Sequence, residues 1–119
     1  MTTAEGNKPF QRTLSNSMAA SFNTTGIEVP DYYMGQIQLT WVGFDGTTGS
    51  AYIETSADNT NWQEVGCADT SAVITGATGI QIWELLWATG SYYRLAFIPG
   101  NGTVGTATTK FVLKRRMNG

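Results

Sequence analysis

Oxygen-bearing side chains crowd one short stretch, Ser56-Ala57-Asp58-Asn59-Thr60-Asn61-Trp62, and three readings are open to it. Asp58, Asn59 and Asn61 can begin a calcium loop, because hard cations take carboxylate and amide oxygens. The EF-hand pattern asks for Gly at its sixth position and Glu at its twelfth. Counted from Asp58, those positions hold Gln63 and Asp69, so the pattern fails. A pair of carboxylates is enough for glycoside hydrolysis, and Asp58, Glu64 and Glu84 are the acids that border a turn or sit among aromatics. Nothing in the sequence sets any two of them at a defined separation across a cleft. The third reading is a hairpin corner, where Asp and Asn supply Asx-turn and left-handed geometry. On that reading Asp58 and Asn61 turn the chain, Trp62 plugs the end of the fold, and the stretch is scaffold.

Other routes to catalysis are narrow. The chain has no histidine, which removes the usual general base, zinc ligand and partner of a nucleophilic Ser or Cys. Its single cysteine, Cys67, reads as a small buried hydrophobe. The segment 46–50 (GTTGS) lacks the lysine and following helix of a phosphate loop, and 100–105 (GNGTVG) sits between strands rather than opening a helix. The expectation is a protein that is not an enzyme and carries no cofactor and no metal.

The elements that would position any site alternate with period two. Ile37, Leu39 and Trp41 share one face, with Gln36, Gln38 and Thr40 on the other. Ala51 and Ile53 oppose Tyr52 and Glu54; Tyr93, Leu95 and Phe97 oppose Tyr92, Arg94 and Ala96; Phe111 and Leu113 oppose Lys110, Val112 and Lys114. Turn signals at 45–49, 58–61, 75–79 and 99–105 separate these runs. The pattern predicts an all-β, single-domain antiparallel β-sandwich of jelly-roll type over residues 21–114. Residues 1–20 read as an extended N-terminal arm ordered on a neighbour, and 115–119 as a basic C-terminal tail. Between Gly79 and Trp87, Ile80 and Ile82 share a face with Glu84, and a bulge near Glu84 would return Leu85 and Trp87 to a consistent face.

Charged residues make up only 13% of the 119-residue chain, a surface suited to packing against copies of itself or a partner. Of seven cations, four (Lys110, Lys114, Arg115 and Arg116) fall in the last ten residues, and all nine carboxylates precede them. That tail reads as solvated or salt-bridged to a neighbouring subunit; facing a genome, Arg115 and Arg116 could touch phosphates. The start carries no signal-peptide pattern, and no apolar run is long enough to cross a membrane, so a soluble protein made in the cytoplasm and not secreted is expected. Tyr32, Tyr33, Tyr52 and Tyr92 are the candidate exposed rings, suited to a protein interface or a sugar platform. Phe10 and Arg12, on the arm, join them as interface candidates.

The chain also resembles a group of small bacteriophage virion structural proteins. The likeness covers residues 26–114 and rests on Ser56-Ala57-Asp58-Asn59-Thr60-Asn61-Trp62, on Tyr92-Tyr93-Arg94 and on the Gly/Thr-rich turn into the last strand. It implies a β-sandwich capsid decoration or minor capsid protein located in the virion, whose partners are its own copies, as a trimer about a local symmetry axis, and a major capsid protein. The same motifs are similar to discoidin-like carbohydrate-binding jelly rolls. Those run longer, often carry a terminal disulfide and are commonly secreted, and the chain departs from them in each respect. That second likeness implies a glycan-binding module, or a tail-fibre or vertex component that binds host surface glycans.

Overall fold

A computed structural model of the chain describes residues 10–28, 32–65, 71–85 and 92–115, with backbone alone at 32–34, 85 and 115. Its strands are β1 (Phe10–Ser17), β2 (Phe22–Asn23), β3 (Ile27–Glu28), β4 (Tyr32–Val42), β5 (Gly49–Ser56), β6 (Gln63–Glu64), β7 (Ala72–Ile74), β8 (Thr78–Leu85), β9 (Tyr92–Ile98) and β10 (Thr106–Arg115). Sheet A is four-stranded in the order β1-β10-β4-β8. Sheet B has six strands, in the order β2-β9-β5-β6, with β3 also on β9 and β7 also on β5. All pairings among the described residues are antiparallel. β2 with β3, and β6 with β7, each act as one interrupted strand. The chain then changes sheet at every connection except the β5–β6 hairpin, which is the strand order of a jelly roll. The expected all-β antiparallel sandwich is the fold observed.

Period-two alternation decides what lies between the sheets. Ile37, Leu39 and Trp41 of β4, Phe111 and Leu113 of β10, Ala51 and Ile53 of β5, and Tyr93, Leu95 and Phe97 of β9 are all buried. They meet in one cluster with Met18, Ile27, Phe44, Ile74 and Trp83. Each large aliphatic or aromatic side chain so buried contributes about 2 kcal/mol of transfer free energy. Thr109, also fully buried, interrupts this apolar layer, and its hydroxyl has no hydrogen-bond partner among the described residues.

β8 departs from the sequence expectation. Its ladder with β4 runs unbroken from Val42–Thr78 to Gly35–Leu85, so no bulge forms up to Leu85, where the described residues end. The alternation places Trp83 inward, opposite Ile37, where it is buried. Ile80, Ile82 and Glu84 therefore share the outer face. One tryptophan in the core outweighs two isoleucines at the margin, because an unbroken ladder cannot bury both sets.

The segment expected to be an arm also differs. From Phe10 to Ser17 it is the edge strand of sheet A, paired with β10 along its whole length. Phe10 and Leu14 pack against the core, and Met18, immediately after the strand, is fully buried. Only two of its four inward positions (10, 12, 14 and 16) are apolar, because a sheet margin covers less core. Residues 1–9 lie outside the described residues.

One end of the sandwich is closed by loops that bind each other. Phe44 is buried there, edge-on to Phe97 with ring centroids 5.8 Å apart. A side chain at Gly46 or Gly102 would collide with the Phe44 ring, so close approach requires glycine at both. The Asn101 side-chain carbonyl accepts from the Thr47 and Thr48 amides at 2.8 and 3.1 Å, joining the β4–β5 and β9–β10 loops. Asp45 accepts from the Thr103 hydroxyl at 2.5 Å and from the Thr103 and Val104 amides at 2.7 and 3.1 Å. These bonds, the Thr103 hydroxyl foremost, lower the Asp45 pKa from 3.8 to about 2.

Candidate interaction surfaces

At the opposite end the β5–β6 corner is built around one carboxylate. Asp58 Oδ1 accepts from the Ser56 hydroxyl and from the Thr60 and Asn61 amides, each at 2.9 Å. Asp58 Oδ2 accepts from the Asn61 side-chain amide at 2.8 Å. The Asn61 amide and then the Thr60 amide are the main reasons its pKa lies far below the ordinary carboxylate value of 3.8. Asn59 takes a left-handed φ of 61° at the apex, a conformation Asn tolerates. Asp58 therefore turns the chain, and its bonds are spent inside its own loop.

Trp62 does not plug the sandwich end. It is half-buried and stands outside the core cluster. The Arg94 guanidinium lies 4.2 Å from its ring centroid. Arg94 and Glu54 alternate with the buried Leu95 and Ile53, so they rise from the outer face of sheet B, where Arg94 Nε donates to Glu54 Oε1 at 2.7 Å. A side chain at Gly26 would strike Asn59 and the Trp62 ring, so the β2–β3 turn lies against the corner. Ser56 and Ala96, which also alternate outward, are buried. This end of sheet B is covered by its own chain. Beside the corner lies a shallow depression of about 330 Å³ lined by Thr55, Ser56, Ala57, Asn61, Trp62 and Gln63.

Sheet A presents a different outer face. Across β1, β10, β4 and β8 its rows read Gln11–Val112–Gln36–Glu84, Thr13–Lys110–Gln38–Ile82, Ser15–Thr108–Thr40–Ile80 and Ser17–Thr106–Val42–Thr78. Hydroxyls and amides cover the β1 side, and apolar groups gather at the β8 margin. Ile80 is 57% exposed, Ile82 42% and Val42 58%. Within the described residues β8 pairs with β4 alone and forms an open edge of the sheet. Sheet B exposes Val73 and Ile98 on either side of Ser50, but its edge strand there, β7, has only three residues.

The candidate residues read from the sequence are scattered over these surfaces. Tyr52 and Tyr92 are half-buried on the outer side of sheet B. Phe10 packs on the core, and Arg12, on the same face of β1, is exposed. Tyr32 and Arg115 are opposed in the β4–β10 ladder, just past an irregularity between Lys114 and Arg115. The side chains of Tyr32, Tyr33 and Arg115 lie outside the description, as do Arg116 and Cys67 altogether. Asp58, Asn61 and Trp62 do come together, at the corner. Glu64 opposes Glu54 on sheet B, while Glu84 stands on sheet A and accepts from the Gln36 amide at 3.5 Å.

Sequence reading missed Ile80, Ile82 and Val42 as a surface, and Asp45 with Asn101 as loop ties. Among the described residues no group of three or more His, Cys, Asp or Glu is placed to hold a metal ion, and no helix is long and apolar enough to cross a membrane. No family model matches the chain, and no curated protein matches it.

Proposed function

We propose that the chain is a non-enzymatic structural protein acting through protein–protein contact, and within that class a bacteriophage virion protein of capsid-decoration or minor-capsid kind. The observation that carries docking is the β8 margin, where Ile80, Ile82 and Val42 are exposed on a sheet edge that is open among the described residues. Exposed apolar groups scattered singly are ordinary, but a contiguous set on an open edge marks a contact surface. The virion part rests on the resemblance of residues 26–114, and the jelly-roll order is a frequent one among viral capsid domains. Its partners are then its own copies and a major capsid protein, and its location is the virion. Arg115 and Arg116 serve as salt-bridge donors to a neighbouring subunit, with phosphate contact the lesser role.

The test is the composition of intact particles. Particles from a source lysate, banded on a density gradient, should contain this chain at copy numbers comparable to the shell protein. A handful of copies would assign it to a tail or vertex, and absence would end the virion reading.

The depression beside Trp62 favours a second reading, a glycan-binding module. An aromatic ring edged by Thr55, Ser56, Asn61 and Gln63 offers a stacking surface beside hydroxyl and amide groups. This reading expects heat on titration with a host polysaccharide, lost in Trp62→Ala. Silence against every such polysaccharide would end it.

A further inference from the structure

The β8 margin needs an occupant, and the geometry points to a second copy of this chain, its β8 paired antiparallel to this one about a two-fold axis at Gln81. The inference rests on the docking reading above and gives it a partner and a register.

The edge itself calls for a strand. β8 is eight residues long, unbroken in its ladder with β4, and contains neither Pro nor Lys. Natural edges are blunted by Pro, charged side chains, bulges, short length or a covering loop, and among the described residues β8 shows only one of these, Glu84. Its main chain is therefore a template for one more strand.

The side chains select a second β8. With the axis at Gln81, Ile80 faces the partner's Ile82 and Ile82 faces the partner's Ile80. Directly opposed residues stand about 5 Å apart at Cβ, so four isoleucines would close into one patch, with Val42 of each copy on the next strand inward. The same exposed groups that one copy leaves in water are complementary to themselves, as an isologous contact requires.

Charge permits this register and disfavours those whose axis lies nearer Glu84. Glu84 is the only charged residue of β8. About Gln81 it faces the partner's Thr78, and the two Glu84 carboxylates stand six residues apart along the seam, about 20 Å. An axis moved to Glu84, or a parallel in-register pairing, would set the carboxylates against each other. Gln81 suits the axis as well. Its side-chain amide makes only a long contact, 3.4 Å, to the Ile82 carbonyl. Two such amides related by a two-fold can each donate and accept.

Sedimentation equilibrium of the full chain across a concentration series is the first arm of the test. The expected result is twice the 12.9 kDa chain mass, falling to a single chain mass for Ile80→Lys/Ile82→Lys with an unchanged far-UV circular dichroism spectrum. The second arm is disulfide trapping in a Cys67→Ala background. Gln81→Cys should give a covalent dimer under mild oxidation, and Glu84→Cys should not. A wild-type chain that stays monomeric overturns the inference, as does a dimer that survives the double substitution, or a Glu84→Cys variant that cross-links as readily as Gln81→Cys. If the chain is monomeric yet abundant in particles, the self-pairing falls and the docking reading stands with a different partner.

Discussion

Trp62 and Ile82 are both large apolar side chains on outer faces of the sandwich, yet their surroundings are opposite. The β5–β6 corner folds Trp62 down onto Arg94, ties Arg94 to Glu54, and turns both Asp58 oxygens to donors of its own loop. At the β8 margin Ile80 and Ile82 stand in water beside an open edge. The corner completes itself. The margin, within the described residues, has no strand against it beyond β4. Density of polar and aromatic residues is therefore a poor guide to function here, because the richest cluster in the sequence is self-satisfied and the plain Ile-Gln-Ile run is not.

Substitutions can sharpen this contrast. The largest effect is expected from removing residues 1–18, which strips β1 and the buried Met18. Loss of Met18, Leu14 and Phe10 from the core should cost on the order of 4 kcal/mol, read as a collapse of the urea midpoint. A truncated chain as stable as the full one would return this segment to the status of an arm. Next, Trp62→Ala uncovers Arg94 and Glu54. Half-burial and the cation–π contact together suggest a loss of about 2 kcal/mol, and an unchanged midpoint would mean the corner covers nothing of consequence.

Acid should act on both ends of the sandwich. Asp45 and Asp58 have folded-state pKa values depressed below 3.8, so the stability they contribute is present above that value. It is lost as pH falls towards the folded values, from about pH 4 to about pH 2 for Asp45 and lower still for Asp58. The urea midpoint should decline across that window, and less steeply in Asp45→Asn. A midpoint flat between those pH values would show that these carboxylates tie nothing. The smallest stability effect belongs to the margin. Ile80→Lys/Ile82→Lys should change the stability of the monomer by no more than about 0.5 kcal/mol, because both side chains stand on the outer face of sheet A and outside the core cluster. A larger loss would make the margin part of the scaffold.

Much of the architecture was legible because alternation states which residues share a face. Ile37, Leu39 and Trp41, or Leu95 and Phe97, needed no more than that. Alternation does not say which face is inner, and at β8 the decision fell to Trp83, whose place depends on Ile37 across the ladder. β1 was hidden for a related reason, since Phe10 and Leu14 are its only inward apolar residues and Arg12 lies between them. The Asp58 turn was readable because its partners lie within three residues. Trp62 was not, because its partner Arg94 arrives from another strand. The Asp45–Thr103 and Asn101–Thr47 ties join loops that meet only once the jelly roll has closed.

Hydrogen exchange along β1 and β8, the outer strands of sheet A, followed as a function of protein concentration, tests most directly whether the β8 margin is where this chain meets its partner. The account predicts that amides in 78–85 gain protection as concentration rises while those in 10–17 do not change. Protection that rises in 10–17 instead, or in neither edge at concentrations where the chain self-associates, would contradict it.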